Sequence, residues 1–152
     1  MAFTWMESPI GPLTVWANEE GVTAIDFGRA EGNPDPGHPV LSQAVRELEE
    51  YFARKRKAFD VPVCVEGTAF QMAVWKELQK IPYGETRSYS DIAKAIGRPK
   101  AVRAVGQANR KNQIPVIIPC HRVIGKDRSL TGYAGKQLDK KEILLRLEGC
   151  LC

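Results

Sequence analysis

At Gly67 the chain changes character, and that change limits the available folds more than any other feature. Before it come short apolar segments, Phe3–Glu7, Leu13–Ala17 and Val22–Phe27, cut by the turn signals SPIG and NEEG. Such segments read as strands. A loop rich in proline and glycine, RAEGNPDPGHP, runs from Arg29 to Pro39. Leu41, Ala44, Val45, Leu48, Tyr51 and Phe52 then recur at helical spacing, which predicts an amphipathic helix over 40–54. The basic run Arg54–Lys57 ends it, where cations suit the carbonyl end of a helix. Ala58–Val65 is read as a further strand.

After Gly67 helical spacing takes over. Thr68 and Gln71 match a capping box, and Phe70, Val74, Leu78 and Ile81 form the apolar stripe of the helix it opens. IPYGET is a turn. Ser88 or Ser90 caps a helix through Asp91–Ile96, Gly97 closes it, and Pro99 precedes another helix over Lys100–Arg110. A last helix, Leu138–Glu148, buries Leu144 and Leu147. The expected fold is α/β (α+β). Residues 1–66 make a small N-terminal α/β module with an antiparallel sheet, and residues 67–152 a mainly helical domain containing a helix-turn-helix.

Charge separates along the chain as well. The segment Arg87–Arg122 holds eight basic residues against one acid, Asp91, so it carries +7 within a chain of net +4, leaving −3 elsewhere. A polyanion bound at one face would explain this, and so would a solvated basic surface. On the second helix of the pair, Ala101, Val102, Val105 and Ala108 would pack inward, while Arg103, Gly106, Gln107 and Arg110 face out. Arginines beside a bare glycine backbone suit close approach to phosphates and bases.

No apolar run reaches the roughly 20 residues of a membrane span, and MAFTWMESPIG lacks the pattern of a signal peptide. An intracellular, cytoplasmic protein without a membrane partner is expected. The four cysteines, Cys64, Cys120, Cys150 and Cys152, then stay reduced. With only His38 and His121 as histidines and no CxxC pair, no metal site is expected. Cys64 reads as a small buried hydrophobe.

Cys120 differs. The apolar run Ile114–Ile118 reads as a buried strand that ends at Pro119, and Cys120, His121 and Arg122 follow directly. A thiol reacts as its thiolate, so at neutral pH it needs a base or a cation nearby. Neighbours on a strand point to opposite faces, so His121 can serve Cys120 only if the chain turns at Pro119 or a water bridges them. Glu148 is the candidate orienter of His121, because a carboxylate in a last helical turn opposes the helix dipole and an imidazole would stabilise it there. A solvent-exposed Glu148 and a structural His121 also fit.

These residues resemble a known family. Pro119-Cys120-His121-Arg122-Val123 is similar to the active-site signature of the O6-alkylguanine-DNA alkyltransferases, also called methylated-DNA–protein-cysteine methyltransferases. IPYGETRSYSDIA, RAVGQANRKN, GYAG and the terminal LLRLEG resemble that family in order and spacing, so Thr68–Gly149 is covered strongly. The N-terminal module, with SPIGPLTV and FDVPV, is less similar.

The resemblance implies a single-turnover DNA repair enzyme that takes an alkyl group from O6-alkylguanine, and from O4-alkylthymine, onto Cys120. The base would first be flipped through the minor groove. It implies His121 as base through a water, Glu148 as its orienter and Asn112 as brace of the active-site loop. Tyr89 would turn the nucleotide and donate a proton. Arg103 would fill the gap in the stack, with Ser90, Ala104, Gly106, Gln107 and Arg110 beside it on the DNA. Val123, Tyr133, Ala134 and Gly135 would line the base pocket.

No cofactor is implied, the partner is double-stranded DNA carrying alkylated guanine, and the protein is expected to act as a monomer. Two departures stand out. Ala134 occupies a position where some members have serine, so contact to guanine O6 there must come from a backbone N–H. Lys136–Lys141 lacks the usual glycine-rich spacing. A non-repairing lesion binder and a cysteine hydrolase are the competing classes; the intact Cys120-His121 pair opposes the first, and Arg103 on a helix-turn-helix opposes the second.

Overall fold

A computed structural model describes residues 1–125 and 138–150. The chain forms two compact units, Met1–Val65 and Glu66–Cys152.

In the first unit, β1 (Ala2–Met6), β2 (Leu13–Ala17) and β3 (Val22–Phe27) form an antiparallel sheet in sequence order. Phe3 pairs with Trp16 across β1–β2, and Val15 with Ile25 across β2–β3. Alternation along a strand sends Met6, Leu13, Val15 and Ile25 into the core. There they share the interior with Leu41, Ala44, Leu48 and Tyr51 of α1 (Pro39–Phe52), a helix that opens on a proline. On the other face the strap after β3 is tied down, with Trp5 Nε1 donating to the Ala30 carbonyl at 2.9 Å and Thr14 Oγ1 to that of Gly28 at 2.7 Å. The strand expected over 58–65 is reduced to one parallel bridge, Val22 to Val63. There the buried Glu47 carboxylate, which accepts from the N–H groups of Asp60 and Val61, holds the backbone in place of a ladder. Cys64 is only half-buried, contrary to its expected place in the core, and its sulfur lies 3.6 Å from Asn18 Nδ2.

The second unit packs α2 (Ala69–Leu78), α3 (Tyr89–Ala95), α4 (Val102–Arg110) and α5 (Leu138–Leu147) with a two-stranded parallel sheet of β4 (Arg87–Ser88) and β5 (Val123–Ile124). This second sheet carries no sequence signal, because strands of two residues have no periodicity to read. Thr68 caps α2 with Gln71 completing the box. At α3 it is Ser88, not Ser90, that caps, with Asp91 reciprocating. Gly97, at φ +76°, then reverses the chain between α3 and α4, a backbone conformation that side-chain-bearing residues rarely adopt. Trp75 of α2 donates from Nε1 to the Ala108 carbonyl at 2.8 Å, fixing the end of α4.

Three inward stripes shift from expectation. On α2, Trp75 joins Val74 and Leu78 inside, while Phe70 is half-buried. On α4, Val102 is 38% exposed and Asn109 is buried beside Val105 and Ala108. On α5, Leu145 is buried with Leu144, and Leu147 is only half-buried. In each case an inward arc reads one position away from the one assigned by apolar type alone.

Candidate active site

The segment before Cys120 is not a strand. Ile114, Val116 and Ile118 are fully buried, but the chain closes on itself: Ile118 N–H donates to the Ile114 carbonyl at 2.9 Å and Cys120 N–H to that of Ile118 at 2.8 Å. Val116 sits at φ +74°, a strained position for a β-branched residue. Pro119, at φ −80° and ψ 64°, makes a tight inverse turn. Asn112 braces these turns with both ends of its amide, donating to the Ile118 carbonyl at 2.8 Å and accepting from Ile114 N–H at 3.0 Å. Cys120–Arg122 then forms one 3-10 turn. The strand-derived objection to cooperation between Cys120 and His121 therefore disappears.

All three side chains after Pro119 are buried, His121 completely. His121 Nε2 lies 2.6 Å from Glu148 Oε2. Arg122 grips the same carboxylate with two bonds, Nε to Oε1 at 2.8 Å and a terminal nitrogen to Oε2 at 3.0 Å, and its other terminal nitrogen donates to the Ile81 carbonyl at 2.7 Å. Gly84, at φ +81°, adds its N–H to Glu148 Oε1 at 3.3 Å. The Arg122 guanidinium also lies 5.8 Å from the centre of the Tyr83 ring, within cation–π range. Glu148 sits just past α5, where the dipole disfavours it, and this cage of donors is the compensation.

The electrostatics follow from burial and pairing. Burial alone would raise the Glu148 carboxyl, but the His121 and Arg122 contacts overcome it and bring the value down to about 2. Burial pushes the His121 imidazole below its ordinary value, against the pull of Glu148, and the ring rests neutral. With Nε2–H donating to the carboxylate, Nδ1 carries the lone pair. Burial raises the Cys120 thiol to about 11, opposed in part by the Asn112 side chain and the Lys141 charge.

Both shifts on the acid side have one sign. The unfolded chain takes a proton on histidine near its ordinary value, and on Glu148 near 4.5, before the folded one does. Glu148's contribution is therefore complete above its ordinary value and lost as pH falls toward about 2. It is on the order of 3 kcal/mol for so buried a group. Denaturant titrations across this range should show stability falling steadily below neutrality, and Glu148→Gln should remove the portion between about 4.5 and 2. An unchanged acid profile in that variant would discard the assignment.

Among the residues expected to face DNA, Arg103, Ala104, Gln107 and Arg110 are exposed on α4, and Gly106 and Tyr89 are half-buried. A Cβ built on Gly106 would stand 4.0 Å from Tyr89 Cδ1, so the two elements meet at that glycine. Ser90, also expected there, is largely buried within the first turn of α3. Tyr133, Ala134 and Gly135 lie outside the described residues. Among the described residues no cluster of histidine, cysteine or carboxylate groups could hold a metal ion, and no helix is long and apolar enough to cross a membrane.

Three side chains enter the site without having been assigned to it. Arg122 stands in the signature, but its role as clamp on Glu148 depends on residues 26 positions apart. Asn109 donates to the Cys120 carbonyl at 3.3 Å, and Lys141 donates from Nζ to the Val123 carbonyl. For the last two a signal existed. Lys141, Leu144, Leu145 and Glu148 recur at i, i+3, i+4 and i+7, and Asn109 lies four residues after Val105. Each polar residue lies on the buried stripe of its helix.

A helix-turn-helix with an arginine-bearing outer face, in one unit with a buried thiol beside an imidazole held by a carboxylate, defines a DNA-binding protein equipped for cysteine chemistry. Residues 69–150 match the family model described as the DNA binding domain of 6-O-methylguanine DNA methyltransferase, and residues 1–65 match that of its ribonuclease-like domain. The chain belongs to the 6-O-methylguanine DNA methyltransferase family. It is 50% identical to the methylated-DNA–protein-cysteine methyltransferase of Methanosarcina acetivorans, covering 98% of this chain and 99% of the relative. The constitutive enzyme of that name from Bacillus subtilis is 46% identical, covering 96% and 94%. The Mycobacterium tuberculosis OGT solved in complex with DNA superimposes with a TM-score of 0.88 at 47% identity, covering 97% of this chain and 92% of that one.

Proposed function

We propose that this protein repairs DNA by moving an alkyl group from O6-alkylguanine, and from O4-alkylthymine, onto the sulfur of Cys120, once per molecule. The observation that carries the reading is the buried arrangement of Cys120 and His121 on one turn with Glu148 bound to His121. Family membership supports it, and so does the DNA complex solved for the mycobacterial relative. The partner is duplex DNA carrying the lesion, bound by a monomer in the cytoplasm.

Chemistry and environment fit together. A thiol held near pKa 11 is ionised at pH 7 in only about one molecule in ten thousand, so it needs a base at the moment of attack. His121 takes the thiol proton through a water, and Glu148 stabilises the imidazolium that results. Sulfur attacks the alkyl carbon, an S–C bond forms, and the C–O6 bond breaks with its electron pair passing to the guanine. A proton from the Tyr89 hydroxyl neutralises the departing base, and the proton gathered at His121 restores the balance through solvent. The thioether has no hydrolytic route back, which makes the reaction stoichiometric.

The alkyl group lies on a base inside the duplex, so the nucleotide must first leave the stack, which costs about a few kcal/mol. Arg103 offsets part of this by entering the gap, while Arg110 and Gln107 hold the backbone beside it. Incubation with a duplex containing O6-methylguanine, followed by mass spectrometry, should show one methyl per chain on the Cys120 peptide. Reversible binding with no mass gain would favour a lesion binder, and multiple turnovers a hydrolase; either refutes the proposal. Arg103→Ala should slow repair in duplex DNA by about a hundredfold, given the unstacking penalty. It should leave reaction with free O6-benzylguanine within about threefold, since no base stack is then opened. Equal losses on both substrates would remove the intercalating role.

A further inference from the structure

Asn109 is fully buried, although it is polar and sits on the helix whose outer face carries Arg103, Gln107 and Arg110. Taking an amide out of water costs free energy unless the amide is hydrogen-bonded, and an apolar side chain would pack there without that cost. Its amide nitrogen donates to the carbonyl of Cys120 at 3.3 Å, from 11 residues away in the chain. The end of α4 that carries it is itself anchored, because Trp75 of α2 donates to the carbonyl of the preceding residue, Ala108, at 2.8 Å.

This bond falls on the backbone of the nucleophile. Cys120 N–H is held by the Ile118 carbonyl at 2.8 Å, and Asn112 in turn holds that carbonyl at 2.8 Å. On the other side, the Cys120 carbonyl accepts from Val123 N–H, which closes a single 3-10 turn. Such turns have poor hydrogen-bond geometry, and Asn109 supplies a second donor. One rotatable bond separates the sulfur from this backbone, so the two peptide planes of Cys120 set where it points. Displacement at an alkyl carbon needs the sulfur aligned behind the breaking C–O6 bond at roughly 3–3.5 Å from the carbon. A rotated peptide plane would swing the sulfur off that line.

We propose that Asn109 is a positioning residue that fixes the line of attack of the Cys120 sulfur by tying the nucleophile's carbonyl to α4. The inference rests on the alkyl-transfer reading given above. It gives Asn109 no contact with base, DNA or transferred proton. Ionisation of the thiol is governed by burial, opposed by the Asn112 side chain and the Lys141 charge. Loss of Asn109 should therefore misdirect the sulfur without changing how readily it ionises.

The test uses the full-length chain and a duplex carrying O6-methylguanine, with single-turnover transfer read from the mass of the Cys120 peptide. Varying the DNA concentration separates the maximal rate from half-saturation, and the maximal rate is followed across pH. Asn109→Leu, which keeps a branched side chain and loses the donor, should lower the maximal rate by about ten- to a hundredfold. Half-saturation and the midpoint of the pH profile should stay where they are. Alkylation of Cys120 by iodoacetamide, a reagent that approaches freely and needs no fixed line, should stay within about threefold. Asn109→Ser, whose hydroxyl is too short to reach the carbonyl, is carried in parallel and should be slowed in the same way. Circular dichroism checks that each variant is folded. An unchanged maximal rate in either folded variant would overturn the proposal. Iodoacetamide labelling altered as much as transfer, or a shifted pH midpoint, would also overturn it, because the turn itself would then have opened. A loss confined to half-saturation would do the same by making Asn109 a DNA-binding residue. Absence of any mass gain on Cys120 in the wild type would instead sink the transfer reading itself.

Discussion

Cys120→Ala is expected to abolish alkyl transfer while leaving affinity for lesion-containing duplex within about threefold, because the exposed side chains of α4 that are proposed to meet DNA are untouched. The protein has more accessible thiols. Cys64 and Cys150 are both partly exposed, whereas Cys120 is fully buried. If accessibility governed the chemistry, methyl groups would appear on those two, and alanine at 120 would change little. What Cys120 has instead is position, on the turn that also carries the Glu148-bound imidazole. The folding penalty should be small, about 1 kcal/mol for a side chain shortened by one heavy atom. A lost activity therefore cannot be assigned to unfolding. Peptide mapping after incubation with the O6-methylguanine duplex decides the matter: label on Cys64 or Cys150 in the variant, at a rate near that of the parent, would end the assignment.

Glu148→Ala should be the most damaging single change to the second unit. The carboxylate faces His121 at 2.6 Å, holds Arg122 through bonds of 2.8 and 3.0 Å, and accepts from Gly84. Its removal leaves a guanidinium only 7% exposed with no opposing charge. Breaking one side of a buried ion pair in this way costs about 3–5 kcal/mol. Transfer should also fall by about 10²–10⁴, the usual range for loss of effective general-base catalysis. The two effects can be separated. Urea denaturation reads the first, and rates measured on the folded fraction read the second. Glu148→Asp, which keeps the charge with a shorter reach, should recover more stability than activity if His121 orientation matters. A Glu148→Ala protein as stable as the parent, transferring at a similar rate, would show that the cage around this carboxylate is incidental.

The helices and their caps were legible because they are local. Thr68 with Gln71, Ser88 with Asp91, and the glycine at 97 each act within a few residues. Assigning their buried faces was less secure, since apolar type was used where position decides: Val102 faces out, while Asn109 and Lys141 face in. The run Ile114–Ile118 misled for a related reason. Continuous burial is shared by central strands and by tightly wound turns, and the two are separated by the local backbone bonds of Ile118 and Cys120 and by the bracing amide of Asn112.

By itself the sequence determined the two-part organisation, the helix-turn-helix, the family and the triplet Cys120-His121-Arg122, since each is written in neighbouring residues or in a contiguous motif. Tertiary structure alone decided that Arg122 clamps Glu148, that Gly84 closes the cage, and that Asn109 and Lys141 hold the carbonyls of Cys120 and Val123. Those contacts join positions 11 to 64 residues apart. Hydrogen bonds and ion pairs act over a few ångströms of space, and only the folded chain brings such distant residues within that range.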